Sequence, residues 1–169
     1  MTADENLKHK DLDGKRIAAD MNAASNDDVE RLKEGGWAPR LISVVIGDVD
    51  AVEIYVRNQK RAAEKIGIAF DERDFPADIT EPEMIAAIQA MNADPRVTGI
   101  IIQRPVPEQI NVKRLQSAIH PLKDVEGLHP ASIGNIVYNE IELGPCTAMA
   151  SVHMLRKTGL SLSGLEVVV

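Results

Sequence analysis

Along the chain, stretches in which apolar residues recur every three or four positions alternate with short β-branched runs. Asp13-Gly14-Lys15 opens a helical pattern that carries Ile17 and Met21 and later Val29 and Leu32, and Gly35-Gly36 closes it. After Pro39, "LISVVIG" predicts a buried strand ending on Gly47. The stretch "AVEIYVRNQKRAAEKIGI" follows, with Ala51, Ile54, Tyr55, Ala62, Ala63 and Ile66 spaced for a helix of about four turns and Gly67 as its stop. "IAFDERDFP" alternates and ends at proline, as an exposed or edge strand would. Thr80-Glu81-Pro82-Glu83 is a capping box with proline in the first turn, so a helix starts there, with Met84, Ile85, Ile88 and Met91 on one side.

"VTGIIIQ" predicts a second buried strand, and the two prolines of "RPVPEQI" forbid helix and central strand alike. A helix near 112–119 and a turn at "HPLKDVEG" come next, "LHPASIGNIVYNEIELGPC" reads as irregular loop, and a final helix capped at Thr147 or a neighbour runs to Lys157. "GLEVVV" starts a third buried-type strand. This alternation predicts an α/β fold, a three-layer α/β/α sandwich with a mostly parallel sheet.

Composition narrows the function classes. The 169 residues are 44% apolar and 27% charged, enough for one domain with a real core, and the net charge of −7 argues against a surface built to neutralise nucleic-acid phosphates. No apolar run approaches a membrane span and the start lacks the apolar segment of a secretory signal, so neither membrane nor nucleic acid is an expected partner and the cytoplasm is the default. One cysteine excludes an internal disulfide, and His9, His120, His129 and His153 fall at no metal-ligand spacing, so no metal is expected.

The segments "GDVDAVEIYVRNQKRAAEKIGI", "DPRVTGIIIQRPVPEQI", "HPLKDVEGLHPASIG", "GPCTA" and "LSLSGLEVVV" carry a resemblance. From about Leu12 onward the chain resembles the bifunctional methylenetetrahydrofolate dehydrogenase/methenyltetrahydrofolate cyclohydrolase family of one-carbon metabolism, whose motifs occur in this order and at this spacing. The resemblance implies a folate-binding catalytic domain over residues 1–160. Residues 161–169 then begin a dinucleotide-binding Rossmann lobe that is truncated or absent, because the family's glycine-rich turn after "VVV" does not follow. NAD(P) is accordingly expected only through that missing lobe, which makes dehydrogenase activity by this chain alone an unexpected outcome. The family also implies a homodimer.

The resemblance assigns the site. Val52, Tyr55 and Gln59 are spaced to share a helix face, which in the family reads serine, tyrosine, lysine. The tyrosine stacks on the folate rings, the lysine is the acid/base group for methenyl hydrolysis, and the serine supports the lysine. Only Tyr55 is retained. Glutamine does not titrate near neutrality, so Gln59 can position water or ligand only through hydrogen bonds, and cyclohydrolase activity is expected to be impaired. Lys60 lies about 100° further around the helix and is the substitute cation if the register shifts. Gln103 matches the active-site glutamine that contacts lysine and substrate, with Pro105 and Val106 of the next loop as further substrate contacts. Arg104 stands where leucine is usual, and Ala148 where a proline shapes the folate cleft. Glu126 replaces the aspartate that reads the pterin amino group and ring nitrogen, adding one methylene. Lys123, Asp124 and His129 are expected to be structural, and Cys146 a small core residue. A different class stays open: altered Val52, Gln59 and Glu126 around one cleft also suit a noncatalytic protein that binds a folate-like bicyclic ligand or serves in assembly.

Overall fold

The computed structural model describes residues 12–48 and 50–168, without the side chains of Asp50 and Ala51. His9, the side chain of Ala51 and Val169, on which the sequence pattern also bears, lie outside the described residues. Asp13 caps α1 (Gly14–Glu34), its carboxylate accepting the Arg16 N–H at 3.0 Å, and Gly35 closes it by donating to the Arg31 carbonyl. The chain continues through β1 (Arg40–Ile46), α2 (Asp50–Lys65), β2 (Ala69–Phe75), α3 (Glu81–Ala93) and β3 (Gly99–Ile102). It ends with α4 (Val112–Ala118), a 3-10 turn at Pro121–Lys123, α5 (Pro130–Val137) and α6 (Cys146–Arg156). The predicted capping box is present: Glu83 N–H donates to the Thr80 hydroxyl while Thr80 N–H donates to the Glu83 carboxylate at 2.9 Å.

All three strands are parallel, in the order β2-β1-β3, with Leu41 opposite Gly99 and Ser43 opposite Ile101. The chain crosses from β1 to β2 in one direction and returns past β1 to β3 in the other. Right-handed crossovers then require α2 and α3 on opposite faces. The packing agrees. Ile42, Val44, Ile46, Ile100 and Ile102 join Met84 and Ile88 of α3 and Leu115 of α4 in one apolar cluster, whereas Leu41 and Val45 pack with Val52, Val56, Ala63 and Phe70 in another. On the outer edge of β3, Ile100 bridges Asp124. The connections therefore leave β1 and β3 toward opposite sides, which makes the carboxyl ends of these two strands the crevice where open α/β sheets take ligands.

Three local expectations change. The segment expected to be irregular contains α5, with Pro130 in its first turn and the His129 Nδ1 accepting the Ala131 N–H at 3.0 Å as cap. α6 is preceded by Pro145 with no side-chain cap, so Thr147 lies inside the first turn, and Cys146 is exposed at the helix start instead of in the core. Val167 and Val168 form no strand and are exposed; no neighbouring strand among the described residues offers them a ladder.

Candidate functional site

The buried stripe of α2 decides where its polar residues go. At about 100° per residue, Val52, Val56 and Ala63 fall within about 40° of one another, and these are the helix residues that pack on the sheet. Gln59 lies about 20° to one side of Val52, and Lys60 about 80° to the other. One flank faces β3 and the other β2. Gln103 Nε2 donates to Gln59 Oε1 at 2.7 Å, whereas Lys60 Nζ donates to Glu72 Oε1 of β2 at 3.0 Å. The hydrogen bond it donates to Glu72, then the Glu72 charge, hold the Lys60 ammonium above its usual value. Lys60 is thus a charged partner of the edge strand, separated from Gln103 by the width of the helix, and the expected substitution of Lys60 for the missing lysine does not occur in this register.

Val52 is likewise not beside Tyr55 in a ligand-facing row. It is 5% exposed in the core under α2, because it shares the buried stripe with Val56, while Tyr55, about 60° away from it around the helix, is 61% exposed. Val52 also borders a cavity of about 640 Å³ at the carboxyl ends of β1 and β2, which contains neither Tyr55, Gln59 nor Gln103.

Gln103 follows β3 directly. Its N–H donates to the Val44 carbonyl at 2.9 Å, extending the ladder by one residue, and its side chain is 5% exposed. The same Nε2 that reaches Gln59 also donates to Ser43 Oγ at 2.9 Å. Ser43 is fully buried in the middle of β1 and was not singled out by the sequence pattern; a serine within an otherwise apolar central strand was the available signal. Of the loop residues, Pro105 is exposed, joined to Arg104 by a cis peptide bond, and Val106 packs its side chain against the α3/α4 core. Val106 therefore supports the loop from beneath, because the main core claims its side chain.

Glu126 is half-buried next to this strand end. Burial pushes its carboxyl up, opposed by the Arg104 guanidinium and by the Ile102 backbone N–H, which places the added cation of Arg104 in the electrostatic neighbourhood of Glu126. The preceding Asp124 is structural as expected. Burial alone would raise its carboxyl, but hydrogen bonds from the His129 N–H, the Ser132 hydroxyl and nearby backbone hold it below its usual value. Lys123 donates to the Met91, Asn92 and Asp94 carbonyls and fastens the turn to the end of α3. Gly127 has φ +68°, and a Cβ there would overlap the backbone of Gly144, so the turn carrying Glu126 must have glycine next to it. Ala148 lies exposed in α6.

The arrangement is a graded polar column, from buried Ser43 through Gln103 to half-buried Gln59, with Tyr55 one turn earlier on α2. It can hold an acceptor- or donor-bearing ligand by neutral hydrogen bonds. Among the described residues no three His, Cys, Asp or Glu side chains gather closely enough to hold a metal ion, and no helix is long and apolar enough to cross a membrane.

Comparison with known proteins gives a consistent picture. Residues 12–126 match the family described as tetrahydrofolate dehydrogenase/cyclohydrolase, catalytic domain. The chain is 61% identical over 158 residues to Bifunctional protein FolD 2 of Mesorhizobium japonicum, covering 94% of this chain and 52% of that protein. It is 52% identical over 160 residues to Bifunctional protein FolD of Rhodobacter capsulatus, covering 95% and 53%. Among solved structures, the bifunctional FolD enzyme of Campylobacter jejuni superposes with a TM-score of 0.86 at 31% identity, over 90% of this chain and 55% of that one. The Trypanosoma brucei dehydrogenase-cyclohydrolase, solved with NADP cofactor and inhibitor, gives 0.83 at 27% identity, over 90% and 53%. The chain spans about half the length of the curated relatives it matches.

Proposed function

The chain belongs to the tetrahydrofolate dehydrogenase/cyclohydrolase catalytic-domain family, and on that premise we propose that it is the folate-binding wall of a one-carbon enzyme whose cyclohydrolase step is impaired. The observation that carries this reading is the bond from Gln103 Nε2 to Gln59 Oε1. The position where the family has its acid/base lysine is occupied by an amide locked to its neighbour, and an amide neither takes nor gives a proton near neutrality.

Tyr55, exposed one turn away, supplies a ring for stacking on the folate heterocycle, and Glu126 a carboxylate for its amino group. Hydride transfer from a methylene bridge to NAD(P) needs orientation and charge stabilisation more than a proton donor, so losing lysine harms hydrolysis of the methenyl product far more than its formation. A nicotinamide cofactor carried on a second, Rossmann-type lobe, and assembly as a homodimer, belong to the same proposal.

Titration with methenyltetrahydrofolate, followed by its absorbance, tests the reading. Saturable binding weakened by Tyr55→Ala is expected, with at most slow hydrolysis that Lys60→Ala leaves intact. Absence of binding would remove the folate assignment, and loss of hydrolysis on Lys60→Ala would return the acid/base role to that lysine.

A further inference from the structure

Serine is out of place in the middle of β1. Its neighbours Ile42 and Val44 are apolar and buried, and a hydroxyl left there without a partner would be destabilising. The partner it has is the amide of Gln103, whose backbone is itself pinned to Val44. An amide nitrogen carries two hydrogens. On Gln103 one goes to Ser43 Oγ and the other to Gln59 Oε1, so both are engaged at a site from which water is nearly excluded. Turning that amide over would set its oxygen against the oxygen of Gln59, leave Gln59 without its donor and require the Ser43 hydroxyl to donate where it now accepts.

We propose that Ser43 is a positioning residue which, through Gln103, orients the Gln59 amide so that its N–H groups are presented to a hydrogen-bond acceptor of the bound ligand, a carbonyl oxygen or an unprotonated ring nitrogen. With its oxygen held inward by Gln103, Gln59 turns its nitrogen toward the ligand. The site is thereby a donor of fixed polarity whose strength does not vary with pH, in a position where a lysine would alternate between ammonium and amine. The identity of the ligand as a folate rests on the preceding reading; the orientation of the amides does not.

Two measurements separate these parts. Side-chain amide NMR on the free protein reports the relay without any ligand: both Gln103 amide protons should exchange slowly, and Ser43→Ala should abolish that protection while backbone amides of α3 keep theirs. Calorimetric titration with 5-formyltetrahydrofolate then reads the consequence. Ser43→Ala should weaken binding about tenfold, and Gln103→Glu, which can only accept and so turns the Gln59 oxygen outward, should weaken it further. The wild-type affinity should stay level across the neutral pH range. Unchanged Gln103 exchange in Ser43→Ala, or equal affinity of wild type and both variants, would overturn the proposal. If wild type binds no 5-formyltetrahydrofolate the folate reading fails, and the exchange measurement still decides whether Ser43 sets the amides.

Discussion

Ile42, Val44 and Ile46 turn to one face of the sheet and meet Met84, Ile88 and Leu115, while Leu41, Ser43 and Val45, interleaved with them on the same strand, turn to the other and lie beneath α2. The first face is closed by isoleucine, methionine and leucine side chains packed to near-zero exposure. On the second, Ser43 and Gln103 interrupt the apolar surface, buried and hydrogen-bonded to each other, with Gln59 as the second partner of Gln103. A central strand of a parallel sheet is normally apolar on both sides. Its polar interruption leads from the middle of β1 to the carboxyl end of β3 and is the face on which the proposed site is built.

The comparison can be broken most forcefully on the dry face. Met84→Ala should cost about 2–5 kcal/mol in urea unfolding, since a fully buried side chain leaves a cavity that its neighbours fill only in part, yet the folded fraction should bind folate as before. On the polar face, Gln103→Leu should cost less, about 1–3 kcal/mol, mainly from the Ser43 hydroxyl left unpartnered. Its effect on folate binding should be the greater one, reversing the order of the two variants.

Glu126 sharpens the contrast through pH. Its folded carboxyl titrates above the usual value of 4.5 because of burial, so between those two values the folded protein holds more protons than the unfolded chain. Its contribution is fully present below the unfolded value and is lost as pH rises through the folded one. Glu126→Gln should therefore flatten the fall in stability over that window, measured as thermal midpoints at a series of pH values. The smallest effect is expected at Lys60, paired with Glu72 at a wet edge: Lys60→Ala should leave the urea-unfolding midpoint and the folate affinity almost unchanged.

The order of helices and strands, the Thr80 capping box and the edge position of β2 were legible because each rests on signals a few residues apart. α5 was obscured by Gly134 and by a histidine serving as cap through its ring nitrogen, where serine, threonine, aspartate or asparagine is the usual sign. The site was legible in part. Periodicity places Val52 and Gln59 within about 20° on α2, but it does not say which side of that stripe faces β3. Only the strand order β2-β1-β3 sends Gln59 to Gln103 and Lys60 to Glu72. Ser43 could not be paired from sequence, since its partner lies 60 residues on and the contact depends on the register between β1 and β3.

The central claim is that α2 keeps its place against the ligand but offers an amide where the family has an acid/base lysine. The most direct test is the hydrolysis rate of methenyltetrahydrofolate with the wild-type chain and with Gln59→Lys. A wild-type rate close to buffer and a gain of at least about tenfold on restoring lysine are expected. A wild-type rate well above buffer that Gln59→Lys leaves unchanged or lowers would contradict it.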